Sequence, residues 1–202
     1  MSDRPGDAAQ LLQRANSESR NSIQRKLLTA AAFATAGLEE AVLVGGVAAE
    51  LHTGSYRPTD IDLVGHRRSG YTQSLLELGF KKEGRHWLFS FEDGESAAIE
   101  VPGDHLEGFA TEPPQVIDLA PGELAVISIT DLMMDRLLQA TGGELVTFEE
   151  AVRLAVAAYE RIGWADLGER AANATIDGSL AGAALPDTLA AVRRKAIGLL
   201  RN

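Results

Sequence analysis

The stretch that most restricts the fold of this chain is residues 41–64, AVLVGGVAAELHTGSYRPTDIDLV. The apolar run Ala41–Val44 has the length of a buried strand, and it stops at Gly45-Gly46 before the helix-forming segment AAEL. A polar turn from Thr53 to Pro58 leads into Asp60-Ile61-Asp62-Leu63-Val64, which reads as a second strand. Side chains alternate along a strand, so Asp60 and Asp62 point one way while Ile61 and Leu63 point into a core. Two carboxylates that close repel each other unless a cation or a proton lies between them. Hard oxygen donors in pairs suit Mg²⁺, which reaches nucleotide sites through one or two carboxylates plus substrate phosphates.

The glycines supply a second constraint. Between a strand and a helix they let backbone approach a phosphate, and the helix start presents N–H groups at the positive end of its dipole. Gly-Gly alone usually marks a turn, and Asp-x-Asp alone usually marks a solvated face or a cap. The ordered combination is far more specific. GGxxAELxxGxxRPTDIDL resembles the signature of the nucleotidyltransferase superfamily that includes polymerase β. Within it the stretch is most similar to small bacterial nucleotidyltransferase-like proteins, some of them toxins of type IV toxin–antitoxin systems.

That resemblance implies an α+β fold, a nucleotidyltransferase-type mixed sheet flanked by helices, with a C-terminal helical region. It implies transfer of a nucleoside monophosphate from an NTP to an acceptor hydroxyl, with two Mg²⁺ ions (or Mn²⁺) about 3.5–4 Å apart. Asp60 and Asp62 would hold both ions. Gly45 and Gly46 would receive phosphates, Arg57 would offset charge on the pyrophosphate, and Thr59 would orient the Asp60 strand. Family members carry a third acid on a neighbouring strand, and Glu100 in Ser96–Val101 matches it: Ile99 and Val101 share one face and leave Glu100 on the other. The alternative for Glu100 is an exposed residue of an edge strand. Many active members have Gly-Ser where this chain has Gly45-Gly46.

Composition narrows the classes. The chain has 202 residues, 45% of them hydrophobic and 24% charged, enough for an ordinary core. It has no cysteine, which removes disulfides, thiolate metal sites and cysteine nucleophiles and agrees with a reducing compartment. No apolar run approaches the length of a membrane span, and MSDRPGDAAQ lacks the apolar core of a secretion signal, so a cytoplasmic protein without membrane partners is expected. A formal net charge of −10 opposes non-specific binding to a polyphosphate backbone. The basic residues Arg14, Arg20, Arg25, Lys26 and Arg193, Arg194, Lys195, Arg201 read as solvated helix faces.

Taken in order, helices are expected at 7–17 and 20–37, then the motif, an arginine-bearing loop at 66–70 and a helix at 71–79. A strand meander follows at 80–101, turning at Glu92-Asp93-Gly94-Glu95. Strands are expected at 115–119 and 124–129. A helix capped by Ser128 or Thr130 comes next, where Asp131, Asp135 and Arg136 form a polar network. The remaining helices are expected at 147–162, with Thr147-x-x-Glu150 as a capping box, and at 165–174 and 187–200. This divides the chain into N-terminal helices (1–38), a nucleotidyltransferase core (39–129) and a C-terminal helical region (130–202). Lys81 and Lys82 are nearby lysines for a triphosphate. The four histidines, His52, His66, His86 and His105, show no metal-ligand spacing and read as surface or packing residues.

Two functions are therefore open. One is a Mg²⁺-dependent nucleotidyltransferase whose NTP is given by the resemblance and whose acceptor is open, a tRNA or a protein among the choices. The other is a catalytically weak or inactive nucleotide-binding module, acting as a regulatory or complex-forming partner. The Gly45-Gly46 departure and the acidic charge favour the second; the full set Asp60, Asp62 and Glu100 favours the first.

Overall fold

The structure is a computed structural model and describes residues 4–106, 110–174 and 180–201, with the side chains of 180–183 outside that description. Residues 1–3 of the polar opening, and with them parts of all three expected regions (1–38, 39–129 and 130–202), lie outside the described residues. The chain forms two compact units, one of residues 1–107 and 113–127, the other of 108–112 and 128–202.

The first unit carries α1 (Arg4–Ser17), α2 (Ile23–Gly37), β1 (Leu38–Val44), α3 (Gly45–Thr53), β2 (Asp60–Arg67) and α4 (Tyr71–Glu77). It continues with β3 (Lys81–Glu83), β4 (His86–Ser90), β5 (Ser96–Glu100), β6 (Gln115–Asp118) and β7 (Glu123–Val126). The strands form one seven-stranded sheet in the order β3-β4-β5-β2-β1-β7-β6. It is mixed: β1/β7 and β2/β5 are parallel, and the other neighbours antiparallel. Sheet and helices make the chain α+β.

Helix α2 covers one face of the sheet. Ser22 caps it by accepting the Arg25 N–H at 3.1 Å. Its small residues Ala30, Ala31 and Ala32 are fully buried, so the helix lies close to the sheet, and Phe33 reaches further in. Phe33 meets Tyr71, Phe80 and Trp87 edge-on at 6.0, 5.3 and 6.3 Å between ring centroids. Each such pair adds about 0.5–1.5 kcal/mol beyond the area it buries. Ile61, Leu63, Trp87 and Ile99 face the same core, each at most 2% exposed.

Strand β1 begins three residues earlier than the sequence predicts. Its register shifts between Glu39 and Val42, and Glu40 has φ 51°. This bulge turns two consecutive glutamates to solvent, which breaks the alternation that would have marked the strand. Strand β2 likewise continues to Arg67, so His66 and Arg67 belong to a strand and not to the expected loop.

The turn between β4 and β5 is tied back to the helices. Arg25, 4% exposed, donates to Asp93 Oδ2 at 2.8 Å and to the Ala15 carbonyl at 3.1 Å, with its guanidinium 4.4 Å from the Phe91 ring centroid. The Arg25 hydrogen bond, with the Glu95 N–H, holds the Asp93 carboxyl below the usual carboxylate range. A depressed carboxylate stabilises the fold above the unfolded-state pKa, and that contribution goes as pH falls through the folded-state value. Asp93→Asn is therefore expected to lower the denaturation midpoint at pH 7. The gap from the parent protein should close as pH drops below about 4 in a urea titration series. A gap that stays constant down to the acid transition would refute the linkage.

The second unit, among the described residues, is helical: α5 (Ile129–Ala140), α6 (Leu145–Ala158), α7 (Trp164–Ala174) and α8 (Leu180–Leu200), with a 3₁₀ turn at Tyr159–Arg161. Ser128 caps α5 by accepting the Asp131 N–H at 3.0 Å. The Thr147 capping box does not form. Helix α6 starts earlier, at Leu145 after Glu144, and Thr147 Oγ1 donates to the Glu144 carbonyl from within the first turn. Helix α8 also starts earlier than predicted, with Pro186 inside it. Asp131 finds its cation on α7 instead of on its own helix: Arg170 donates to it at 2.6 Å. Arg136 bonds Gln139 at 2.7 Å.

Candidate active site

The parallel register of β2 and β5 aligns Asp60 with Ala98, Ile61 with Ile99 and Asp62 with Glu100. Residues opposite each other in neighbouring strands project to the same side of a sheet. Asp60, Asp62 and Glu100 thus share one face, and Ile61 and Ile99, 2% and 0% exposed, share the buried one. Strand β4 extends the row, since its antiparallel pairing sets His86 opposite Glu100. Asp62, Glu100 and His86 form one line across three strands, with Asp60 one step upstream, and all four are half-buried.

The side chains converge as the backbone does. Asp60, His86 and Glu100 each place a donor atom within 4.8 Å of the others. His86 Nε2 lies 3.6 Å from Glu100 Oε2, and Arg85 Nε lies 3.3 Å from the same oxygen. The sequence offered a route to His86 that spacing between histidines does not: a hairpin turning at Glu92–Glu95 that opposes Ser90 and Ser96 must also oppose His86 and Glu100. Arg85 is the other member of this cluster that motif reading passes over.

The glycine pair adjoins the carboxylates at close range. Gly45 opens α3 with φ +64°, and a Cβ there would stand 2.1 Å from Asp62 Oδ2. The Asp62 carboxylate lies over the first residue of the helix, so Gly45 is needed both for its left-handed backbone and for that carboxylate. A Cβ on Gly46 would stand 2.8 Å from Pro58 Cβ. The space for a serine at this position is taken by the proline ring of the RPTDID segment, a physical reason for Gly-Gly where the resemblance implies Gly-Ser. Gly46→Ser is accordingly expected to lower stability by about 1–3 kcal/mol, as overpacking does, read from chemical denaturation. Unchanged stability would mean that Pro58 gives way.

Arg57 and Thr59 are exposed and line, with Asp60, Arg25 and Lys26, a cavity of about 550 Å³. Lys26 is paired there with Glu50 at 2.7 Å. Glu100 and Arg85 border a second hollow, about 470 Å³, with Arg67 and Lys82. Lys82 donates to the Arg85 carbonyl at 2.8 Å and its ammonium lies 5.3 Å from the Trp87 ring centroid. Burial, then the Arg67 charge, hold its pKa below the ordinary lysine value, while Glu100 acts in the opposite direction. Lys81 is exposed.

These donors fit a divalent cation. Two carboxylates and an imidazole within 4.8 Å, with a third carboxylate in register beside them, give a compact anionic set. Among the described residues, no helix is long and apolar enough to cross a membrane.

Fold and site together define an α+β protein with an acidic row on the half-buried face of a mixed sheet. Among solved structures the chain is similar to an antigenic nucleotidyltransferase-like protein from Paracoccidioides brasiliensis, at 15% identity and a TM-score of 0.45, over 58% of this chain and 66% of that one, a little under two thirds of its length. It is also similar to the antibiotic-resistance factor ANT(2'')-Ia, at 20% identity and a TM-score of 0.39, over 88% and 92% of the two chains. No family model and no curated protein matches the sequence.

Proposed function

We propose that this protein is a nucleotidyltransferase that moves a nucleoside monophosphate from an NTP to an acceptor hydroxyl. The observation that carries the reading is the register of β2 and β5, which sets Glu100 opposite Asp62 on the face that also bears Asp60. Three carboxylates on one half-buried face repel one another, an arrangement that makes physical sense where a cation is bound. Asp60, Asp62 and Glu100 would hold divalent cations, Mg²⁺ or Mn²⁺. Bound there, such ions supply charge neutralisation for the phosphates and lower the pKa of the acceptor hydroxyl.

The chain's own residues do the rest. The start of α3 at Gly45 and Gly46 offers backbone N–H groups to phosphate oxygens. Arg57, exposed at the rim of the Asp60 cavity, neutralises the departing pyrophosphate. Thr59 precedes the strand and helps set its entry. In the transfer, the acceptor oxygen forms a bond to the α-phosphorus, the bond from that phosphorus to the bridging oxygen breaks, and pyrophosphate leaves with the electron pair. The hydroxyl proton passes to solvent. The motif resemblance extends the reading to a cytoplasmic, toxin-like enzyme with a tRNA end or a protein hydroxyl as acceptor.

The test is incubation of the full chain with each labelled NTP, Mg²⁺ or Mn²⁺, total RNA and total protein. Label should move to one macromolecular fraction and EDTA should abolish it. Binding of NTP with no transfer under any nucleotide would favour a nucleotide-binding module, a reading to which the Arg85–Glu100 ion pair and the closed space beside Gly46 lend support.

A further inference from the structure

The acidic face carries one donor that a carboxylate site does not call for. His86 is in register with Glu100, and its place is fixed by what lies beside it: Trp87, 2% exposed, is held in the core on the opposite face. A change of rotamer cannot move the imidazole to the other side of the sheet. Its Nε2 is 3.6 Å from Glu100 Oε2, and an Asp60 oxygen completes a set within 4.8 Å. Donors on opposite sides of an ion, each about 2.1 Å from it, stand about 4.2 Å apart. Small side-chain adjustments are therefore enough to close these three on one cation. The competing partner of Glu100 is Arg85, 72% exposed at its side chain, which can swing into solvent as a cation enters.

We propose that His86 is a nitrogen ligand of the cation site it forms with Asp60 and Glu100, and that this site therefore takes a first-row transition cation such as Mn²⁺ in preference to Mg²⁺. Imidazole suits transition ions, whereas Mg²⁺ takes oxygen donors and gives up its water reluctantly. The inference deepens the nucleotidyltransferase reading, which asks only for the carboxylates. It would also place one of the chain's four histidines in the site by chemistry instead of by spacing.

The experiment is pulsed electron paramagnetic resonance on the full chain loaded with Mn²⁺, together with Mn²⁺ and Mg²⁺ binding isotherms. The expected result is an imidazole ¹⁴N modulation of the Mn²⁺ signal in the parent protein and in His66→Gln, absent in His86→Gln. Mn²⁺ affinity should fall in His86→Gln by at least the roughly 10–100-fold that losing a residue which merely supports a ligand costs, with Mg²⁺ affinity changed little. His86→Asp guards against a folding artefact: it should still bind Mn²⁺, without the nitrogen modulation. Mn²⁺ bound with no nitrogen modulation in the parent protein would overturn the inference and leave the nucleotidyltransferase reading standing. Modulation that survives in His86→Gln would overturn it too. A parent protein that binds neither ion, with or without NTP, would overturn both.

Discussion

Asp60→Ala is expected to reduce nucleotidyl transfer by about 10³-fold or more, while thermal stability stays level or rises. The activity term follows from the row of carboxylates. Asp60 is the member that joins Glu100 and His86 in one donor set and also lines the cavity shared with Arg57. Removing one preorganised electrostatic contact from a site that stabilises transferring charge typically costs about 10²–10³-fold, and loss of a metal-holding donor belongs at or above the top of that range. The stability term has the other sign. Asp60 is half-buried at the start of β2, whose hold on the core comes from Ile61 and Leu63, 2% and 0% exposed. Alanine removes a like-charge repulsion with Asp62 and Glu100 without opening a cavity. Activity lost with stability kept distinguishes a functional carboxylate from a structural one, whose removal lowers both. Melting curves with and without Mn²⁺ sharpen the comparison: the parent should gain stability from the ion by mass action and the variant should not. A variant that melts well below the parent, or that retains transfer, would show Asp60 to be part of the scaffold.

How much of this was legible in the sequence differs from element to element, for physical reasons. That Asp60 and Asp62 share a face followed from strand alternation alone, whereas the mixed α+β sheet was expected only from the family resemblance that the stretch around the glycines carries. That Glu100 turns away from the core was legible as well, because Ile99 beside it had to be buried. What alternation does not contain is which strand lies next to which; the parallel neighbour of β2 is β5, reached only after α4 and the β3–β4 hairpin. His86 was lost for the related reason that ligand spacing along a chain is informative within a helix or loop, but not across a hairpin. Gly46 was read for its phosphate, and the proline that fills the space beside it lies twelve positions on, in a turn whose path no local pattern fixes. The start of β1 was hidden by its bulge, and that of α6 by a Thr147 that had the right spacing for a cap it does not form.

The helical unit gives the second large effect. Arg170→Met is expected to destabilise it by about 3–5 kcal/mol, the cost of breaking a buried pair at one partner. Asp131 is 3% exposed, and its carboxylate accepts the Thr111 N–H at 3.1 Å, the Glu112 N–H at 3.0 Å and Arg170 Nη1 at 2.6 Å. Arg170 also reaches Asp166 one turn back on α7 at 2.6 Å. With methionine in its place, a buried carboxylate keeps backbone donors but loses the cation that offsets its desolvation. The charge and the hydrogen bonds can be separated by a cycle with Asp131→Asn. An amide still accepts from one backbone N–H, so Asp131→Asn with Arg170→Met should recover a large part of the loss, leaving about 1–3 kcal/mol for the donor that loses its acceptor. Urea unfolding of a Trp87→Phe background, followed through Trp164 at the start of α7, reads this unit directly. Additive losses across the cycle would mean that the two residues do not act as a pair. In that case the segment at Thr111 and Glu112 would be held by its hydrogen bonds to the Asp131 side chain without a contribution from Arg170.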